Sequence, residues 1–177
     1  MVTGTINLSI LGGIFDSTNP PGVGFTAANR PYLLFDGTTD ELITWTFQLP
    51  QDYNGDLTLF CQYSMDYAVG NNVAIRTEVM AIADTEDIDT DNYASVEASI
   101  DDTVPATPGN MSVVSDTLTT PTLAAGDYIA LRFGRENTTS GNNANGDMEV
   151  WNIWLEYTSS IGDPADTIPL KFMLMGA

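Results

Sequence analysis

The sequence predicts an all-β protein, an antiparallel jelly roll or β-sandwich of about eight or nine strands. Three observations carry that expectation. Short runs alternate apolar and polar residues, so each presents one apolar face. Clusters of Gly, Pro, Asn, Asp and Thr break the chain between those runs. No long segment places its apolar residues at the 3.6-residue spacing of an amphipathic helix. A chain of 177 residues supports one sizeable core and leaves little room for a second. It shows no repeat of fixed period, which argues against a propeller or solenoid.

Residues 1–30 contain Gly12, Gly13, Pro20, Pro21, Gly22 and Gly24, too many breakers for a continuous helix or central strand. They read as an N-terminal arm or extended segment, with a short strand at residues 5–11 and an extended loop over 16–29. The jelly-roll body is expected over residues 31–160. RPYLLFD opens it, and ELITWTFQLP sets Ile43, Trp45, Phe47 and Leu49 on one face. Pro50 removes a ladder donor, QDYNG supplies turn residues, and DLTLFCQYS resumes with Leu57, Leu59, Cys61 and Tyr63. This stretch reads as two antiparallel strands joined across an edge.

Further strands are expected over 72–83 (NVAIRTEVMAIA), 93–100 (YASVEASI), MSVVSDTLT and 127–134, with DTEDIDTD and DDTVPATPGN as breakers. In MEVWNIWLEYT, residues 148–158, strict alternation puts Trp151, Ile153, Leu155 and Tyr157 on one face and Val150 and Trp154 on the other. Aromatics on both faces imply that the sheet meets something on its second side. Residues 161–177, interrupted by Pro164 and Pro169, read as a C-terminal strand or docking tail.

Charge and composition exclude several function classes. Twenty-four acidic residues against five Lys and Arg give a formal charge of −19, unsuited to nucleic acid or to an anionic membrane surface. Such a charge favours solubility in salty surroundings and suits a cation or a basic partner. The absence of histidine removes the usual Ser/His/Asp and Cys/His arrangements and every histidine zinc site. Cys61, the single cysteine, allows no intrachain disulfide, and its place in an apolar run makes it a core residue rather than a nucleophile. No run approaches membrane-spanning length, and the start lacks the features of a signal peptide. No enzymatic activity and no obligatory cofactor are expected.

Candidate sites are few. Asp84, Glu86, Asp87, Asp89 and Asp91 offer alternating carboxylates that can form part of a calcium shell, although the EF-hand glycine and terminal glutamate are missing. A solvated acidic loop is the competing reading. Asp101 with Asp102, or Glu136 with Asp147, are the carboxylate pairs to examine for glycoside hydrolysis. Trp45, Trp151 and Trp154 lie within alternating strands and are assigned to the core. The loop residues Tyr53, Tyr67 and Tyr93 are the preferred aromatics for a host glycan. Arg76, Arg132 and Arg135 are expected to be tied by carboxylates, while Arg30 and Lys171 flank the terminal regions.

The segments WTFQLPQDYNGDLTLFCQYS, LAAGDYIALRFGRE and MEVWNIWLEYT together resemble β-rich virion proteins of tailed bacteriophages, in particular jelly-roll capsid decoration or cement proteins and related head or tail appendages. The matching residues are Leu49, Pro50, Asp52, Tyr53, Gly55 and Leu57; Leu123, Ala125, Gly126, Asp127, Leu131, Arg132 and Arg135; and Leu155, Glu156, Tyr157 and Thr158. The resemblance covers roughly residues 40–158. It implies a nonenzymatic homotrimer on the outer surface of the virion capsid that binds the major capsid protein and bridges capsomers, its two terminal segments making the contacts. Many modest contacts made together would hold the shell. The alternative it leaves open is a virion appendage or receptor-binding module for host surface glycans.

Overall fold

The computed structural model describes residues 2–67, 70–93, 97–119, 121–137 and 144–161, with the backbone alone at 97–99. Among them are eleven strands: β1 (Val2–Leu8), β2 (Ile14–Phe15), β3 (Gly22–Phe25), β4 (Pro31–Phe35), β5 (Glu41–Gln48), β6 (Thr58–Met65), β7 (Asn72–Ile82), β8 (Glu97–Thr103), β9 (Ser112–Thr117), β10 (Tyr128–Arg135) and β11 (Met148–Ser159). They form two antiparallel sheets. Sheet A runs β3-β4-β11-β6-β9, with β1 also paired to β11; sheet B runs β2-β5-β10-β7-β8. The expected all-β, two-sheet fold is what the chain adopts.

The inner faces of the two sheets make the core. Leu33, Leu59, Cys61, Tyr63, Ile153 and Leu155 of sheet A and Ile43, Ile129, Leu131 and Phe133 of sheet B are all 0% exposed. Each such aliphatic or aromatic side chain contributes roughly 1.5–3 kcal/mol through burial. Phe133 lies edge-on to Phe35 at 5.7 Å and to Trp45 at 6.5 Å between ring centres, tying the sheets together. The Trp45 indole N–H donates to the Ser9 carbonyl at 2.8 Å, so this core tryptophan satisfies its polar atom locally.

The stretch WTFQLPQDYNGDLTLFCQYS does not form a pair of adjacent strands, correcting the expectation. β5 pairs with β2 and β10 in sheet B, whereas β6 pairs with β11 and β9 in sheet A. Residues 49–57 therefore carry the chain from one sheet to the other. Leu49 and Leu57, each 1% exposed, anchor the two ends of the crossing in the core. Its backbone finds partners on both sides: Leu49 N–H donates to Asp127 C=O, and Asn54 N–H donates to Thr158 C=O. Alternation specifies which side chains point inward. It does not specify the partner strand.

The first thirty residues, expected as an arm or extended segment, contribute three strands to the two sheets. β1 pairs along β11 from Val2↔Ser159 to Leu8↔Ile153, β2 pairs with β5, and β3 pairs with β4 through residues assigned to an extended loop. Gly24, one of the glycines that suggested a break, and Gly4 are instead strand positions. A Cβ on Gly4 would lie 2.1 Å from the Tyr157 ring, and one on Gly24 would lie 2.2 Å from the Tyr32 ring. Each glycine is a strand position over which a ring from the neighbouring strand lies.

Two smaller corrections concern strand limits and parity. β8 takes in Asp101, Asp102 and Thr103, which had read as a breaker. In β11 a register shift between Val150 and Asn152 inserts one residue opposite β6. Val150, Ile153 and Leu155 consequently face the core, while Trp151 leaves it. The expected C-terminal strand or docking tail lies outside the described residues beyond Ile161.

The corner where β11 ends is closed by Asp52. Its carboxylate accepts from the Tyr157 hydroxyl at 3.0 Å and the Ser159 hydroxyl at 2.5 Å. The Ser159 bond, followed by that from Tyr157, holds the carboxyl below its ordinary 3.8. A depressed carboxyl stabilises the fold above the unfolded-state value, and that contribution is lost as pH falls through the folded value. Asp52→Asn is therefore expected to lower the urea midpoint at pH 7, with the gap to wild type closing as pH falls through and below the ordinary 3.8. A gap that stays constant with pH would show that the ionised carboxylate has no part in this corner.

Candidate functional site

The outer face of sheet A carries a cluster of rings. Across β6 and β11, Phe60 lies opposite Trp154, and the two stack at 5.1 Å with planes 7° apart. The bulge places Trp151 on the same face, against Tyr32 of β4 at 4.8 Å. All four rings are half-buried. Trp151 is held in place by its own N–H, which donates to Ser64 Oγ at 2.8 Å; Ser64 in turn donates to Glu149 at 2.7 Å. The Trp154 N–H donates to Glu156 at 3.1 Å.

Beside Trp151 the chain forms a concavity of about 520 Å³ lined by Thr26, Ala27, Ala28, Arg30, Met111 and Trp151. Its rim is the turn joining β3 to β4. Asn29 adopts a left-handed φ of 55°, which asparagine tolerates better than most residues. The turn is locked by three hydrogen bonds: Thr26 N–H to Arg30 C=O, Asn29 N–H to Thr26 C=O and Arg30 N–H to Thr26 Oγ1. Pro31 then begins β4, where a missing N–H is tolerated. Arg30 is thus fixed through its backbone while its side chain stays exposed.

Among the described residues the lining of this concavity contains no carboxylate, in a sequence with 24 of them. Three other concavities all carry acidic side chains: Asp84 and Asp127 in one of about 660 Å³, Asp56 and Glu156 in one of about 170 Å³, and Asp56 beside Tyr53 in one of about 330 Å³.

The arginines divide into engaged and unengaged. Arg76 and Arg132 both reach buried Glu78, at 2.5 and 2.8 Å, as carboxylate pairing predicts. Arg135 instead donates to the backbone carbonyls of Gly146 and Ala144. The Arg30 guanidinium has no ion pair or hydrogen bond among the described residues. Lys171 lies outside them.

The remaining sequence candidates distribute as follows. The Asp84–Asp91 segment folds into successive turns in which Glu86 accepts from Ala83 N–H and Asp87 from Asp89 N–H. Among the described residues no three carboxylates converge to hold a metal ion. Asp102 accepts from the Tyr63 hydroxyl at 2.6 Å and from Ser112 at 3.3 Å, whereas its neighbour Asp101 is exposed. Burial, reinforced by Asp102, pushes the Tyr63 hydroxyl up. Asp147 accepts from Gly37 N–H, and Glu136 donates its N–H to Ala74 C=O. Cys61 is fully buried, and burial pushes its thiol up, away from the thiolate a nucleophile needs.

The three loop tyrosines differ in exposure. Tyr53 packs on the core near Tyr157, and Tyr93 lies under the Arg132 guanidinium at 3.9 Å; Tyr67 alone of the three loop tyrosines is largely exposed, at 61%. Trp151, assigned to the core, forms the wall of the carboxylate-free concavity. Strict alternation concealed this, because a one-residue bulge leaves no mark in the apolar pattern.

No protein-family model matches the sequence, and no curated protein matches it. Solved structures do. The chain is similar to the Agl-KA catalytic domain, with 13% identity and a TM-score of 0.52 over 93% of this chain and 30% of that one. Its fold is a jelly-roll β-sandwich. It is also similar to a family 35 carbohydrate-binding module from Clostridium thermocellum (14% identity, TM-score 0.46, 86% of this chain and 97% of that one). A third is the C-terminal CBM6 of LamC, a marine laminarinase from Zobellia galactanivorans (12% identity, TM-score 0.49, 88% and 100%). At these identities the likeness is one of fold, and none of the three is named as a virion protein.

Proposed function

We propose that this chain is a non-catalytic module that binds a saccharide on the outer face of sheet A. The observation that carries the reading is the concavity walled by Trp151, with the Thr26–Arg30 turn as its rim and no carboxylate in its lining. A sugar presents an apolar C–H face and a ring of hydroxyls. It is held by an aromatic wall for the first and a few fixed polar groups for the second. Trp151 is anchored through Ser64 and braced by Tyr32, so its ring is oriented before a ligand arrives. Carbohydrate-binding modules are among the structures of similar fold, which agrees with this reading, though a fold alone names no ligand.

The capsid-cement expectation has less behind it. Its mechanism gave the contacts to the two terminal segments, and the first of these is tied into the body by β1, β2 and β3. Neither a homotrimer nor a contact with a major capsid protein finds support in the comparisons. A place on the outside of a virion rests on the sequence resemblance alone.

A printed glycan array, followed by calorimetry on the best saccharide, tests the proposal. Trp151→Ala is expected to weaken binding at least tenfold, about 1.4 kcal/mol, while Tyr67→Ala leaves it unchanged. Thermal melts confirm that both variants fold. An array on which the wild-type protein retains no saccharide would refute the assignment.

A further inference from the structure

Resting on the saccharide reading above, we propose that the preferred ligand bears a single carboxylate, a uronate-type sugar on an otherwise neutral chain, whose acid group pairs with Arg30 while its ring packs against Trp151. Three observations converge on this. Arg30 is the arginine whose guanidinium no other described residue engages, Arg76 and Arg132 being spent on Glu78 and Arg135 on backbone carbonyls. It stands at the rim of the concavity that Trp151 walls, held there by the hydrogen-bonded turn from Thr26. Among the described residues the lining carries no acidic side chain, and Glu149 is joined to Trp151 through Ser64 rather than facing Arg30 in that lining. A guanidinium presents a planar pair of N–H donors that matches a carboxylate in bidentate fashion, a geometry neutral hydroxyls do not offer.

The charge of the whole chain limits how acidic the ligand can be. A formal −19 repels a polyanion approaching from solvent. A Debye length of about 8 Å at physiological salt screens most of that field from one carboxylate seated beside its cation. The volume of about 520 Å³ holds one or two sugar rings. One acidic sugar decorating a neutral backbone satisfies these limits; a polyuronate does not.

The test compares four probes immobilised on one array: neutral oligosaccharides, the same backbones carrying one glucuronate or galacturonate branch, those branches reduced to the primary alcohol, and polyuronates. The wild-type protein is expected to prefer the singly decorated chains, losing at least tenfold on reduction and weakening as salt is raised. Arg30→Gln is expected to bind decorated and reduced chains equally, with an unchanged melting temperature because the side chain is exposed. The inference is overturned if neutral and decorated chains bind wild type alike, if Arg30→Gln keeps the preference, or if polyuronates bind best. In those cases saccharide binding itself stands. If no probe of any kind binds, the proposed function falls with it.

Discussion

Arg135→Met is expected to lower stability by about 3 kcal/mol or more, read as a fall in the urea midpoint at unchanged slope. Arg135 is 0% exposed at the end of β10. Its two terminal nitrogens donate to the carbonyls of Gly146 and Ala144, fixing residues 144–146 against the body just before β11 begins. Burial pulls its pKa down, opposed by the nearby carboxylates of Asp147, Asp36 and Asp66. Arginine stays protonated through such a shift. Methionine fills much of the same volume, so the variant isolates the polar part of the loss. It leaves the buried Ala144 carbonyl and the half-buried Gly146 carbonyl without this donor, at about 1–3 kcal/mol for the buried one, and three carboxylates without their shared cation. Arg135→Lys is expected to fall between the two, keeping the charge but not the fork. A methionine variant as stable as wild type would mean that these carbonyls have other donors.

Gly134→Ala is expected to cost more than about 3 kcal/mol, or to prevent folding. A Cβ at this position would lie 2.0 Å from the Glu41 carbonyl oxygen and 2.7 Å from the Leu42 side chain. The first obstacle is backbone, so no rotamer change relieves it. Gly134 pairs with Leu42 where β10 and β5 meet inside sheet B, and separating them disturbs the strands that carry Phe133 and Ile43. Gly22→Ala supplies the contrast. A Cβ there meets its nearest neighbour at 3.5 Å, an ordinary contact, and the change is expected to stay within about 1 kcal/mol. Denaturant titration of both variants, with soluble yield as a second measure, decides the matter. Equal stability for Gly134→Ala and wild type would contradict the pairing of β5 with β10.

Fold class was legible because alternation and turn residues are local signals. Ile43 and Trp45, or Leu59 and Cys61, point inward whichever strand lies beside them. What lies beside them is decided at long range. β5 and β6 are consecutive in sequence yet belong to opposite sheets, a choice that follows from where β10 and β11 fall much later in the chain. The N-terminal glycines misled for the opposite reason. Gly24 looks like a break until the ring of Tyr32, on the neighbouring strand, is placed over it. The candidate site was legible only in parts. Trp151 had been assigned to the core and Arg30 to a terminal flank, and their meeting depends on the bulge in β11 and on the turn at residues 26–30. Neither feature changes the hydrophobic pattern.

The position of β11 also sets when this protein can assemble. It is the last described strand in the chain, yet it lies between β6 on one side and β1 and β4 on the other. On a ribosome, the early strands of sheet A must wait with their edges unsatisfied until residue 159 has emerged. A product truncated before residue 148 would present those edges to other nascent chains, and aggregation rather than partial folding is its expected fate.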